Sequence, residues 1–199
     1  MRNLLLIGLI LILSACQQTS MLKPKELVDD WIIDTTIVPT NRQCFTTLTK
    51  QHTKNTVFML AAGANTGELT ETTNDVETFS QTMQQHFNIP PNQICKLTNV
   101  FKAELENALH SLKQQVINGD KVIIYFSGHG GHIQDNNGDE KDGWDEALIT
   151  YDIKGKDDDN VKESDVLRDD HFIAQVNKLT TAKVLTVMDT CFSSDMYLG

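Results

Sequence analysis

Basic side chains are scarce in this chain of 199 residues: 17 Lys and Arg stand against 27 Asp and Glu, a formal net charge of −10. Nucleic acid and an anionic membrane surface are thereby excluded as electrostatic partners, and a basic peptide suits the charge better. Long apolar runs are lacking too. The run at residues 4–13 is too short to span a bilayer as a mature helix. Cysteine is confined to Cys16, Cys44, Cys95 and Cys191.

What the chain does have is two short apolar runs that end in reactive side chains. Lys121-Val122-Ile123-Ile124-Tyr125-Phe126 leads into Ser127-Gly128-His129-Gly130-Gly131, and Ala182-Lys183-Val184-Leu185-Thr186-Val187-Met188 leads into Asp189-Thr190-Cys191. Runs of β-branched and aromatic residues bounded by turn residues read as buried parallel strands, and open α/β sheets place their chemistry beyond the carboxyl ends of such strands. A histidine and a cysteine delivered to one sheet edge make a thiol dyad. Both members are needed, because a thiol is only slightly ionised near neutral pH until a base takes its proton or lowers its pKa. Read alone, His129 is a loop histidine and Cys191 a buried, inert thiol; together they favour chemistry.

Between the runs, strand and helix patterns alternate. Residues 56–64 read as a first buried strand. Asn74-Asp75 then opens an amphipathic helix with Val76, Phe79, Met83 and Phe87 on one face. Residues 93–97 form a short strand, and Thr98-Asn99 starts a second helix through Phe101, Leu105, Leu109 and Leu112, closed by Gly119-Asp120. After His129 an acidic excursion contains Glu146-Ala147-Leu148-Ile149-Thr150, a small hairpin over the catalytic edge, and Asp169-Asp170 starts a third helix. The order implies an α/β fold, a mainly parallel sheet with helices on both faces.

Four ordered stretches carry a family resemblance: Tyr125-Phe126-Ser127-Gly128-His129-Gly130-Gly131, residues 138–148, Asp169-Asp170-His171-Phe172, and Val187-Met188-Asp189-Thr190-Cys191-Phe192-Ser193. Over roughly Thr56 to Asp195 the chain resembles the caspase-like cysteine peptidases of family C14, clan CD, in their bacterial metacaspase branch. The resemblance implies a three-layer αβα sandwich and a cysteine endopeptidase that cleaves after Arg or Lys. Cys191 would be the nucleophile and His129 the proton carrier, with the backbone N–H groups of Gly130 and Cys191 as oxyanion donors. Asp75 and Asp189 would line the pocket for the basic residue, although Asp75 read alone also serves as a helix cap. No cofactor is implied for the chemistry. Calcium, which some relatives need, would fall to Asp145, Asp169 and Asp170; the competing reading is a solvated acidic loop beside a helix N-terminus.

Two departures qualify the resemblance. Phe192-Ser193-Ser194 stands where the family usually has His-Ser-Gly, and Gly199 comes eight residues after Cys191. Caspase-like domains carry further strands there, so the expectation is a C-terminally truncated domain, completed by a partner chain or left with an exposed sheet edge. The alternatives to a peptidase are an inactive caspase-like remnant acting as an interaction module, and a calcium- or peptide-binding lipoprotein.

The N-terminus has a separate reading. Met1-Arg2-Asn3 is a short basic head, and Leu13-Ser14-Ala15-Cys16 follows the apolar run. This resembles a bacterial lipoprotein signal: residues 1–15 removed, Cys16 acylated, and the protein anchored in the cell envelope, on the outer membrane facing the periplasm. The alternative is an ordinary secretory signal cleaved near Ala15. Residues 16–55 then form a tether and N-terminal arm, and residues 56–199 the catalytic domain, with 184 residues left for one domain (199 − 15). In an oxidising compartment Cys44 and Cys95 either bridge or remain buried thiols.

Overall fold

A computed structural model describes residues 42, 44–45, 55–152, 166–179 and 182–191. The expected leader, Cys16 and most of the expected arm lie outside the described residues. In chain order the elements are β1 (Val57–Gly63), α1 (Thr72–Phe87), β2 (Ile94–Thr98), α2 (Lys102–Gln115), β3 (Lys121–Ser127), β4 (Gly130–Gln134), β5 (Trp144–Ile149), β6 (Val166–Arg168), α3 (Asp169–Asn177) and β7 (Lys183–Asp189). Among the described residues no helix is long and apolar enough to cross a membrane.

Strand alternation makes the layers. Phe58, Leu60, Ala62, Val122, Ile124, Phe126 and Met188 turn to one face and pack with Leu105, Leu109 and Leu112 of α2 and Phe172 and Val176 of α3. Met59, Ala61, Ile123, Tyr125 and Val187 turn to the other, where α1 supplies Val76 and Phe79. A sheet apolar on both faces needs cover on both, which parallel strands with helical crossovers provide. The order is β2-β1-β3-β7, all parallel. The fold is the expected α/β sandwich. The acidic excursion is a second, antiparallel sheet in the order β4-β5-β6, so the stretch expected to be a small hairpin is its central strand.

Two helix starts differ from expectation. Helix α1 begins at Thr72, before Asn74-Asp75, because Asn65 caps it from outside: Asn65 Oδ1 accepts the Thr72 N–H at 3.0 Å and the Thr72 hydroxyl at 2.6 Å. Asp75 therefore sits inside the first turn, its own N–H bonded to the Glu71 carbonyl at 3.0 Å. Helix α2 begins at Lys102, because Thr98 ends β2 and Asn99 takes a left-handed turn with φ 48°. Its first N–H groups go to carboxylates: Phe101 N–H to Glu104 at 3.2 Å and Lys102 N–H to Asp152 at 3.1 Å.

Part of the expected tether is fastened to the domain. Cys44 and Cys95 form a disulfide with Cα atoms 5.5 Å apart, which resolves the open alternative and pins the arm to the outer strand β2. Phe45 meets Phe58 edge to face, centroids 6.0 Å apart. Arg42 grips Glu104 through two nitrogens at 3.0 and 2.8 Å. Burial alone would raise the Glu104 carboxyl, yet Arg42 and the Phe101 N–H hold it below its ordinary value. The bridge spans 51 residues, and closing a loop of that size in the unfolded chain stabilises the fold by about 2–4 kcal/mol. Reductant, or Cys95→Ser, should lower the thermal midpoint by several degrees in calorimetry; an unchanged midpoint would show that the bridge carries no stability.

Candidate active site

Strands β3 and β7 pair residue for residue from Lys121↔Lys183 to Ser127↔Asp189. One further bond, Gly128 N–H to the Asp189 carbonyl at 3.2 Å, keeps the chains together as they leave the sheet. His129 and Cys191 follow at equal distance along the two strands. The close approach is visible at Gly130: a Cβ there would overlap the Cys191 carbonyl oxygen and stand 3.1 Å from its carbon and 3.2 Å from Thr190 Oγ1. Any side chain at 130 must displace the cysteine backbone. The structure thus packs Gly130 against the Cys191 backbone, with His129 the residue before Gly130 in the chain.

Cys191 is half-buried and is not in a disulfide. The Thr190 hydroxyl donates to the Cys191 carbonyl at 2.8 Å and fixes the turn. His129 is also half-buried. Burial lowers its pKa, against a hydrogen bond to the Thr66 main chain and the charge of Glu68, which favour the protonated ring. The ring is therefore oriented by Thr66 and biased toward the neutral form that can accept a thiol proton. The second sheet holds the backbone, since the Ile149 N–H donates to the His129 carbonyl at 3.0 Å.

On the α1 face of the sheet, at the same strand ends, lie Asp75, Tyr125, Ser127 and Asp189. The Ser127 hydroxyl donates to Asp75 Oδ2 at 2.9 Å and the Tyr125 hydroxyl donates to Asp189 Oδ2 at 3.2 Å. Burial raises the Asp189 carboxyl, the Tyr125 bond opposes this, and the Asp75 charge adds to it. Burial and the Asp189 charge push the Tyr125 phenol up in turn. Asp75 and Asp189 thus form one half-buried acidic pair. Tyr125, Ser127 and Thr66 were not singled out from the sequence as pocket or orienting residues. The signal for the first two was period-2 alternation, which sets Tyr125 and Ser127 on one strand face; Thr66 acts through its main chain and leaves no such signal.

The expected calcium residues lie on the second sheet and the start of α3. Carboxylate oxygens come within 4.8 Å of one another in two groups, Asp135 with Asp139 and Asp145, and Glu140 with Glu146 and Asp169. Asp145 is buried and ion-paired with Arg168, whose guanidinium also donates to the Gln134 carbonyl at 3.0 Å. Burial, and then the charges of Asp170, Glu146 and Asp145, push Asp169 up to about 6 against a hydrogen bond from the Asp170 main chain. Asp170 is exposed and accepts from Asn137 at 2.7 Å. All of these are hard oxygen donors of the kind calcium takes, but one of them already has a cation in Arg168.

An imidazole and a thiol carried to one edge of an α/β sheet by neighbouring strands, with main-chain groups packed against the thiol residue, define the layout of a cysteine hydrolase. Comparison with known proteins narrows this: a model of the metacaspase, peptidase C14 domain matches residues 59–197, and the chain belongs to that family. It is similar to Metacaspase-1A of Aspergillus oryzae, 29% identical over 136 residues, covering 64% of this chain and 31% of the relative. Metacaspase-2 of Arabidopsis thaliana is 29% identical over 136 residues, with 63% and 31% covered. The chain thus spans about a third of the length of these relatives. A solved structure of a Geobacter sulfurreducens protein superposes with a TM-score of 0.55 at 23% identity, covering 68% of this chain and 50% of that one, which supports the fold.

Proposed function

We propose that this chain is a cysteine endopeptidase that hydrolyses peptide bonds after arginine or lysine. The observation that supports the reading is the β3–β7 register, which ends the strands leading to His129 and Cys191 at one edge of the sheet, where Asp75 and Asp189 also lie. The Cys191 thiol gives its proton to His129 and attacks the scissile carbonyl; the oxyanion rests on the N–H groups of Cys191 and Gly130. His129 then passes the proton to the departing amine, leaving a thioester that water hydrolyses. Two carboxylates in a partly dry pocket favour a cationic side chain just before the cleaved bond.

The test is turnover of fluorogenic peptides ending in Arg or Lys. Activity should vanish in Cys191→Ala and fall about 10²–10⁴-fold in His129→Ala, the span of general acid–base catalysis. Because burial disfavours the imidazolium, the acid limb of kcat/KM should lie below the ordinary imidazole value. No turnover by the parent at high enzyme concentration would sink the reading.

For calcium the proposed ligands are Asp145, Asp169 and Asp170, with Arg168 as the group the ion must displace from Asp145. The ion would order the second sheet and leave the chemistry to Cys191 and His129. Arg168→Met should strengthen calcium-induced thermal stabilisation about tenfold in midpoint concentration, since it removes a bound cation from a buried carboxylate. An equal calcium response in parent and variant would refute the competition.

Attachment to the envelope through a lipid on Cys16 completes the proposal. The run before Cys16 supports it, and so does the Cys44–Cys95 bridge, a bond that persists in oxidising compartments. Detergent-phase partitioning that survives Cys16→Ala would overturn it.

A further inference from the structure

The two hydroxyls in the acidic pocket constrain what it can hold. Tyr125 is 5% exposed and Ser127 3% exposed, so neither side chain is free to swing with a ligand. The Tyr125 ring lies flat on Phe79, centroids 4.1 Å apart and planes within 9°. Phe79 follows Asp75 by four residues on α1, so one helix face pins both the tyrosine ring and one of the carboxylates. Each hydroxyl takes one carboxylate oxygen, Tyr125 on Asp189 and Ser127 on Asp75. The two acids therefore meet a ligand from different elements, α1 and β7, each with its orientation already set.

We infer that Tyr125 is a specificity-determining positioning residue which, with Ser127, holds Asp189 and Asp75 as a divided acceptor for a planar guanidinium and so selects arginine over lysine. The inference rests on the basic-residue specificity proposed above. A guanidinium presents its donors in a rigid fork and gains most from acceptors held in fixed places. An ammonium is a compact charge on a flexible stem, adapts to either carboxylate, and gains less. Releasing Asp189 from Tyr125 costs the fork its geometry while giving the ammonium an equally good acceptor. The effect belongs to substrate binding, because Tyr125 touches Asp189 and not the groups at the scissile bond.

Tyr125→Phe keeps the ring and its stack on Phe79 while deleting the donor, and Ser127→Ala does the same for Asp75. In the full chain, Tyr125→Phe should raise KM for an Arg peptide about tenfold, the loss expected for a hydrogen bond to a charged group. The kcat should stay within about twofold, and the Arg:Lys ratio of kcat/KM should fall several-fold. A merely structural role would lower both substrates equally. Titration calorimetry of N-acetyl-arginine amide and N-acetyl-lysine amide on Cys191→Ala, with and without Tyr125→Phe, reads the same preference without turnover. An Arg:Lys ratio unchanged by Tyr125→Phe in either assay overturns the inference. Binding with the expected change in ratio but no turnover by the parent supports it and sinks only the peptidase reading; no binding of either amide removes pocket and specificity together.

Discussion

Everything at the candidate site depends on the register of β7 against β3. Ser127 opposite Asp189 ends both strands at one edge, each two residues before His129 or Cys191, and a slip of one residue would turn each side chain to the wrong face. Burial enforces that register. Tyr125 and Val187 share the α1 face, whereas Phe126 and Met188 share the face covered by α2 and α3, and neither pair could exchange faces without losing its packing partners in a close-packed layer. Beyond the last paired residues, glycine lets the chains stay close: at Gly128 a Cβ would stand 2.9 Å from the Phe126 ring, and at Gly130 it would collide with Cys191.

The second sheet turns this local arrangement into a supported one. Its central strand β5 takes the His129 carbonyl through Ile149, and Arg168 from β6 joins Asp145 of β5 to the Gln134 carbonyl of β4. Three short strands are thereby cross-linked by one guanidinium, with His129 just ahead of the first. The acidic face and the imidazole are mechanically connected, so a cation that rearranges Asp145 acts on the strand that holds His129.

How much of this was legible in the sequence follows from what each signal encodes. The parallel strands were legible because burial on both faces demands continuous apolar runs, as in residues 121–126. His129 and Cys191 were legible because they stand at the ends of such runs. Helix starts were less so: Asn65 caps α1 from seven residues upstream of Thr72, and Asn99 delays α2 by a left-handed turn, both set by tertiary context. The second sheet read only as a hairpin because β6 has three residues, too few to show a period. The Cys44–Cys95 bridge depends on a distance that spacing does not contain.

The two acidic clusters of this chain are in opposite electrostatic conditions. On the second sheet Asp145 has an internal cation, so its burial is compensated within the fold. In the pocket, Asp75 and Asp189 have only hydroxyl partners, with no Lys or Arg in ion-pair range among the described residues. Burial and mutual repulsion raise Asp189, and no neighbouring positive charge brings it down. Such a pair is held in place at some cost to stability and is relieved by any cation that fits between α1 and β7. The fold closes one cluster with its own arginine and leaves the other to hydroxyls, the condition on which the proposed preference for a basic side chain rests. Both carboxylates lie at the ends of the strands that lead to His129 and Cys191, so the proposed recognition of a basic side chain would fall beside the proposed chemistry.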